Sequence, residues 1–195
     1  SSCGPCNAMA DRILVINPNS SRDVTARMSK ALDGLRFDNG PAIDCVTLDE
    51  GPPGIETDRH IADVVAPIVA TVEKEQNRTS AFVIACFSDP GLHAAREAGR
   101  VPVFGIAQCG YAAATAIGER FGVISILSRS LSRHRRHIDS LGLLDKLAAD
   151  LAIDMGVTEL GQADKVLDRM TAVGSRLKKD HGADVLVMGC AGMAQ

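Results

Sequence analysis

Two cysteines, Cys86 and Cys190, each follow a short apolar run, AFVIA at 81–85 and ADVLVMG at 183–189. Such runs are typical of buried strands, and in an open parallel sheet ligands bind where the strands end. A thiol at that place also lies near a helix N-terminus, whose positive dipole favours the thiolate near neutral pH. The alternative for either cysteine alone is a structural role, since cysteine is among the most buried residue types.

An internal repeat relates the two cysteines. Arg12–Asn17 (RILVIN) resembles Arg120–Ser125 (RFGVIS) at an offset of 108 residues, and Ala81–Cys86 (AFVIAC) resembles Val185–Cys190 (VLVMGC) at an offset of 104. Each half therefore has an opening strand that ends in a small polar residue and a later strand that ends in a cysteine. Two lobes that face each other would place both thiols across one cleft, so we interpret the pair as functional.

Two thiols on opposite sides of one carbon atom could invert it. Inversion next to a carbonyl needs a base on one face and an acid on the other, so one cysteine would be a thiolate and the other a thiol. The enolate that forms also needs hydrogen-bond donors at its oxygen. The side-chain candidates are Asn17, Ser88 and Ser125. Backbone N–H groups after the cysteines are further candidates, and Ala191 and Gly192 leave room for a ligand beside them.

Apolar runs alternate with helical patterns along the chain, which predicts βαβ units and an α/β fold with a mostly parallel sheet. Strands are expected at 12–16, 42–48, 81–85, 103–106, 121–127 and 183–188. Helices are expected at 21–35, 61–72, 92–98, 111–119, 141–151 and 163–179. Pro67 should kink the second helix, and Ser20 is the expected N-cap of the first.

The remaining cysteines and a pair of histidines favour structural roles. Cys45 falls within a strand and Cys109 in a predicted turn. His134 and His137 have the i, i+3 spacing of two helical metal ligands, but four arginines lie between residues 129 and 136. We interpret this segment as a solvated helix face and expect no metal site.

The N-terminal residues 1–10 (SSCGPCNAMA) precede any periodic pattern, so we expect them to be a segment added ahead of a natural start at Met9. Cys3 and Cys6 match the C-x-x-C motif of thioredoxins. That motif needs a strand that leads into a helix, and two residues before Cys3 cannot supply one.

Composition excludes several partners and cofactors. The net charge of −3 and the pI of about 5.9 provide no basic surface for nucleic acid. No apolar run approaches the roughly 18 to 20 residues that span a bilayer, so we expect a cytoplasmic protein without a membrane partner. The chain lacks a glycine-rich phosphate loop and a nucleophile elbow, and its lysines lie in polar surroundings away from strand ends. We therefore expect no cofactor.

Four segments together resemble the hydantoin racemase group of the aspartate/glutamate racemase superfamily, which includes allantoin racemases. They are RILVINPNSS, ACFSDPGLHAARE, VPVFGIAQCG and GADVLVMGCAGMA, and they span about Arg12 to Ala194. The resemblance implies two pseudo-symmetric α/β lobes, expected at 11–108 and 109–195, with the active site in the cleft between them. It also implies cofactor-independent proton transfer by Cys86 and Cys190, a small-molecule substrate and a homo-oligomer. Phe87 beside Cys86 favours a neutral ring, such as a 5-substituted hydantoin or allantoin.

Three departures from the family pattern bear on this interpretation. Gln108 stands where these racemases commonly have glutamate, and Ser125-Ile126 stands where they tend to have two threonines. The family also continues beyond the second cysteine motif through a strand and helices that complete the first lobe, so we expect such residues beyond Gln195. Three alternatives stay open, namely an amino-acid racemase, a maleate isomerase and a ligand-binding homologue without turnover.

Overall fold

Strands and helices alternate along the chain in a computed structural model that describes residues 12–193. The strands are β1 (Arg12–Asn17), β2 (Ala42–Thr47), β3 (Ala81–Ile84), β4 (Val103–Gly105), β5 (Phe121–Ser125), β6 (Leu147–Ala152) and β7 (Val185–Met188). The helices are α1 (Arg22–Ala31), α2 (Asp58–Asp63), α3 (Val65–Glu75), α4 (Leu92–Ala98), α5 (Ile106–Ile117), α6 (Leu131–Ser140) and α7 (Ala163–His181). The predictions about residues 1–10 lie outside the described residues.

The strands form two separate parallel sheets, one in each half of the chain. The first has the order β2-β1-β3-β4 and the second has the order β6-β5-β7. The opening strand of each half is thus paired with the next two strands of that half. The backbone N–H of Ala85 donates to the carbonyl of Ile16, and that of Gly189 donates to the carbonyl of Ile124, both at 2.8 Å. The expected fold of two pseudo-symmetric α/β lobes is confirmed.

Three apolar clusters hold the lobes together. One lies between the first sheet and α3 and α4, and it includes Ile16 and Phe82. A second surrounds Phe121 in the second lobe and also includes Phe87 of the first half. The third joins the lobes, because Val24 of α1 packs in the same cluster as Met155 of the second half. Buried apolar surface between α1 and the second half therefore stabilises their relative position.

The two lobes are connected through α5, which follows β4 of the first sheet and leads to β5 of the second. The expected boundary between residues 108 and 109 falls within this helix. No helix among residues 12–193 is long and apolar enough to cross a membrane.

The predicted helix at 141–151 is wrong. Gly142 has a φ of 69°, which ends α6, and residues 147–152 form β6. This strand lies at the edge of the second sheet and pairs with β5 alone among the described strands. Its leucines at 147 and 151 are partly buried and reproduce helical spacing by coincidence.

Two helix starts differ in detail from the sequence predictions. Ser21 is the N-cap of α1, because its Oγ accepts the N–H of Val24 at 3.3 Å. The predicted cap, Ser20, instead donates its own N–H to the carbonyl of Pro52 at 3.0 Å. The helix expected at 61–72 is divided at Val64, three residues before Pro67. Pro67 lies in the first turn of α3, where its missing N–H leaves no hydrogen bond unmade.

Candidate active site

The two cysteines occupy equivalent places at the ends of β3 and β7. After each one the backbone turns back, and the N–H three residues on donates to the cysteine carbonyl, at 3.0 Å from Asp89 to Cys86 and 3.1 Å from Met193 to Cys190. Each thiol also accepts a hydrogen bond from the backbone N–H two residues on, from Ser88 and from Gly192 respectively. The repeat detected in the sequence therefore extends to the surroundings of each sulfur atom.

Both cysteines line one cavity of about 30 Å³ between the lobes. The first half contributes Val24, Ile55 and Cys86–Ser88 to its wall, and the second half contributes Arg133 and Cys190–Gly192, among others. A volume of this size holds about one water molecule. Entry of a ring-sized ligand therefore requires side chains or lobes to move apart.

Burial favours the protonated form of both thiols. It raises the pKa of Cys86 to about 12 and that of Cys190 to about 11. The lowering of the thiol pKa that a helix dipole would cause is therefore outweighed by burial at both cysteines. Helix α4 begins at Leu92, six residues beyond Cys86, and Cys190 precedes a three-residue 3-10 helix, so the dipole effect at each sulfur is small.

Charged groups from the opposite lobe act on each thiol. Arg133, in the second lobe, lowers the pKa of Cys86, and Arg27, in α1 of the first lobe, lowers that of Cys190. These effects are smaller than that of burial. Negative charge on Cys190 raises the pKa of Cys86, so formation of one thiolate opposes formation of the other.

Five of the seven predicted site residues meet at the cavity, namely Cys86, Ser88, Cys190, Ala191 and Gly192. Asn17 and Ser125 are fully buried behind its wall.

The side chains of Asn17 and Ser125 hold their own lobes together. The Asn17 amide donates to the side-chain oxygens of Asn19 and Thr25, each at 3.0 Å. The Ser125 hydroxyl donates to Asp150 Oδ1 at 2.5 Å. Each residue thus ties the end of a central strand to neighbouring segments of its lobe.

The interpretation of the 129–137 segment as a solvated face is wrong for its histidines. His134 is buried, with its Nδ1 2.9 Å from Ser125 Oγ and 3.0 Å from Asp150 Oδ2, and its side chain lines the cavity. His137 is partly buried, and its Nε2 lies 3.3 Å from Asp89 Oδ2. No group of three or more metal-ligating side chains is found among the described residues.

Sequence reasoning also missed Arg133 and Ser130, which line the cavity beside His134. A helical projection could have found them, because positions three and four apart share one face of a helix. The exposed arginines at 135 and 136 lie on the other face of α6. The number of arginines in this segment does not show which of them lie on the buried face of α6 and which on the exposed face.

Asp89 is a further buried carboxylate near the site. Its oxygens accept the backbone N–H groups of Ala107 at 3.0 Å and Gln108 at 2.8 Å, at the start of α5. The side chain of Gln108 accepts a hydrogen bond from Arg96 at 2.8 Å. The two departures from the family pattern thus lie in different surroundings, because Ile126 lines the cavity and Gln108 forms part of the α4–α5 contact.

Polar contacts across the lobes surround the cavity. Glu56 Oε1 accepts the backbone N–H of Val157 at 3.0 Å, and its other oxygen pairs with Arg129. Asp58 pairs with Arg136 at 3.0 Å. These contacts join the start of α2 and the residues before it to the second lobe, and separation of the lobes on this side would break them.

Comparison with known proteins agrees with this architecture. The sequence model of the family described as Asp/Glu/Hydantoin racemase matches residues 13–195. The chain belongs to this family. Its predicted enzyme class, a racemase among the isomerases, is confirmed by that membership.

Several members of the Asp/Glu/hydantoin racemase family are similar over most of this chain. The hydantoin racemase of Pseudomonas sp. (strain NS671) is 32% identical and is matched over 94% of this chain and 74% of its own length. The hydantoin racemase of Rhizobium meliloti is 33% identical, over 93% of this chain and 76% of its own length. The structure of allantoin racemase from Klebsiella pneumoniae superposes with a TM-score of 0.88 at 30% identity, covering 94% of this chain and 75% of that one.

Proposed function

We propose that this chain is a cofactor-independent racemase that inverts the carbon next to a carbonyl in a 5-substituted hydantoin or allantoin. Cys86 and Cys190 are its acid and base. The observation that carries the proposal is that both thiols, one from each lobe, line the same cavity. The names of the similar proteins, hydantoin and allantoin racemase, supply the substrate class.

Proton transfer proceeds from one face of the ring to the other. The thiolate of one cysteine takes the proton from the ring carbon, and the electron pair of the C–H bond moves into the adjacent carbonyl to give an enolate. The thiol of the other cysteine then donates its proton to the opposite face, which restores the carbonyl and leaves the second sulfur as the thiolate. The reverse reaction uses the same two groups in exchanged roles.

The electrostatics of the cavity oppose the presence of two thiolates at once. Burial disfavours any thiolate, and a thiolate on Cys190 further raises the pKa of Cys86. The productive state therefore carries one thiolate. Its opposite thiol keeps its proton for delivery to the substrate.

Racemisation is tested by the loss of circular dichroism from a single enantiomer of a 5-substituted hydantoin, and from (S)-allantoin, under reducing conditions. The variants are Cys86→Ser and Cys190→Ser, with Cys109→Ser as the control. Cys109 is an exposed thiol on α5 outside the cavity wall. We expect loss of signal with the wild type and Cys109→Ser, and at least about a hundredfold slower loss with the two other variants.

Other results would point to the alternatives. A covalent adduct between a cysteine and maleate, detected by mass spectrometry, would indicate an isomerase that adds to a double bond. Turnover of a free amino acid in place of the hydantoins would indicate an amino-acid racemase. Tight binding of a hydantoin without exchange of its ring hydrogen for deuterium from the solvent would indicate a binding protein.

The proposal includes the absence of a cofactor, and activity should persist after dialysis against a chelator. The expected homo-oligomer and cytoplasmic location stay predictions. Light scattering of the purified protein and fractionation of its cells would test them.

A further inference from the structure

Arg133 brings a positive charge into the wall of the cavity. It is the third residue of α6, and its Nε donates to Ser88 Oγ at 3.2 Å across the lobe boundary. Its Nη2 donates to Ser130 Oγ at 3.0 Å. Two hydroxyl groups from different segments thus hold the guanidinium in place beside the Cys86 turn.

No carboxylate neutralises this charge directly. Arg133 forms no ion pair within 4.0 Å with any described residue, although seven other arginines in the described part of the chain do so. Among the described residues of the cavity wall, it is also the sole arginine, lysine, aspartate or glutamate. Partial burial of an unpaired cation costs free energy, and a ligand with negative charge or a strong acceptor would recover it.

The equivalent position in the first lobe has no such group. Val24 is the third residue of α1, as Arg133 is of α6, and both line the cavity. Ile55 and Val157 are further apolar residues of the wall, whereas Arg133 donates hydrogen bonds to Ser88 and Ser130, which also line it. The two thiols are related by pseudo-symmetry. The side chains at equivalent positions of the cavity wall differ between the lobes.

We propose that Arg133 contacts the substrate and stabilises the carbonyl oxygen that becomes negatively charged in the enolate. This inference rests on the proposed racemase function. As the ring proton passes to a thiolate, the charge left by the broken C–H bond moves to this oxygen, and a free N–H of Arg133 donates to it. When the second thiol returns a proton to the carbon, the oxygen again becomes a neutral carbonyl.

Arginine suits this task because its planar group presents several donors at once. Nε and Nη2 are engaged with serine hydroxyls, and the remaining N–H groups make no hydrogen bond to the described residues. A group fixed before the reaction needs no reorganisation when charge develops, and removal of one such donor commonly slows turnover about 10² to 10³-fold.

The test compares Arg133→Met and Arg133→Gln with Arg135→Met. Arg135 is an exposed arginine on the same helix and lies outside the cavity wall. Racemisation of a hydantoin that the wild type accepts is followed by circular dichroism in both directions, with thermal unfolding of each variant. We expect kcat to fall about 10² to 10³-fold in both Arg133 variants, KM to change less than about tenfold, and Arg135→Met to match the wild type.

A second readout separates contact with the substrate from support of the fold. Added guanidinium ion should restore part of the activity of Arg133→Ala and leave Arg135→Ala unchanged, since the small cation can occupy the vacated place. The two enantiomers have equal free energy, so kcat/KM must fall equally in the two directions. A folded Arg133→Gln with at least half of the wild-type kcat would overturn this inference alone. A wild type inactive on every hydantoin and on allantoin would overturn the proposed function, and this inference with it.

Discussion

Asn17 and Ser125 end the central strands of the two sheets, and the side chains of both are completely buried. One is held by Thr25 of α1 and the other by His134 of α6, and each of these partners is the fourth residue of its helix. The halves therefore use different chemical groups to make the same connection between strand end and helix. In the second half this connection reaches the cavity wall through His134.

Ser125→Ala should lower the free energy of unfolding by about 1–3 kcal/mol. The substitution leaves one oxygen of the buried Asp150 without its hydroxyl donor. Urea unfolding with an unchanged m-value measures the loss. Ser132→Ala, at an exposed position of α6, is the control and should differ from the wild type by less than about 0.5 kcal/mol. Equal stability of the two variants would contradict the assigned contact.

Glu56→Gln should make Cys190 react faster with iodoacetamide at a fixed pH near 8.5. The negative charge of Glu56 raises the pKa of Cys190, so its removal lowers that pKa and increases the thiolate fraction. The amide can still accept the Val157 N–H, but the ion pair with Arg129 is lost. Mass spectrometry of the alkylated peptides measures each cysteine separately. An accelerated Cys45 would instead indicate general loosening, because Cys45 lies in β2 and outside the cavity wall.

The protein should lose stability at alkaline pH. Burial raises the pKa of both cavity thiols above the ordinary value of a thiol, to about 12 for Cys86 and about 11 for Cys190, so the folded state holds these protons more tightly than the unfolded chain. Their stabilisation is complete below pH 9 and is lost between about pH 9 and 12, with a limiting slope of about 1.4 kcal/mol per pH unit for each thiol.

The measurement is urea unfolding of the wild type, Cys86→Ala and Cys190→Ala from pH 7.5 to 10.5. Each variant should show a shallower decline than the wild type above pH 9. Cys109→Ala, in which an exposed thiol is removed, serves as the comparison. Parallel curves for the wild type and both cavity variants would show that these thiols titrate alike in the folded and unfolded states.

Glu75→Gln should destabilise the first lobe at neutral pH by about 1–2 kcal/mol, with the difference vanishing in acid. Arg78 and Arg12, at 2.7 and 2.9 Å, hold the pKa of this carboxyl down to about 2. Its stabilisation is therefore present above about pH 4.5 and is lost as the pH falls through 2. Unfolding by urea at pH 7 and pH 3 measures the effect, and the difference should be smaller but still present at pH 3, where the unfolded carboxyl is protonated and the folded one is still mostly ionised. Glu73→Gln, an exposed neighbour on α3, should be neutral at both values.

Most of the parallel strands can be predicted from the sequence, because each is a short apolar run that is followed by polar or turn-forming residues. The run before Cys86 ends within one residue of β3, and helix 92–98 has the predicted bounds. The failure at residues 141–151 arises where an edge strand is partly exposed, since its apolar residues then lose the continuous pattern of a buried strand. Tertiary pairing with β5, which local spacing does not encode, decides its structure.

The cysteine pair was predictable because a strand end is fixed by local sequence, and the repeat identifies which two strand ends correspond. Arg133 and His134 were not, because their burial depends on which face of α6 turns toward the first lobe. The raised thiol pKa values likewise depend on burial by residues of both lobes, which cannot be predicted from the sequence around either cysteine.

The two sheets share no paired strands among the described residues, so side-chain packing and a few polar contacts set the gap between the thiols. Hydrogen bonds fix the distance between neighbouring strands of a sheet. The distance between two lobes that contact each other through side chains can change by about the size of a methyl group when one side chain is exchanged. Exchange of a side chain such as Val24 or Val157 can therefore change the width of the cavity, while each thiol keeps its own backbone donor. The cavity can thus change in width without any change in the two hydrogen-bonded sheets.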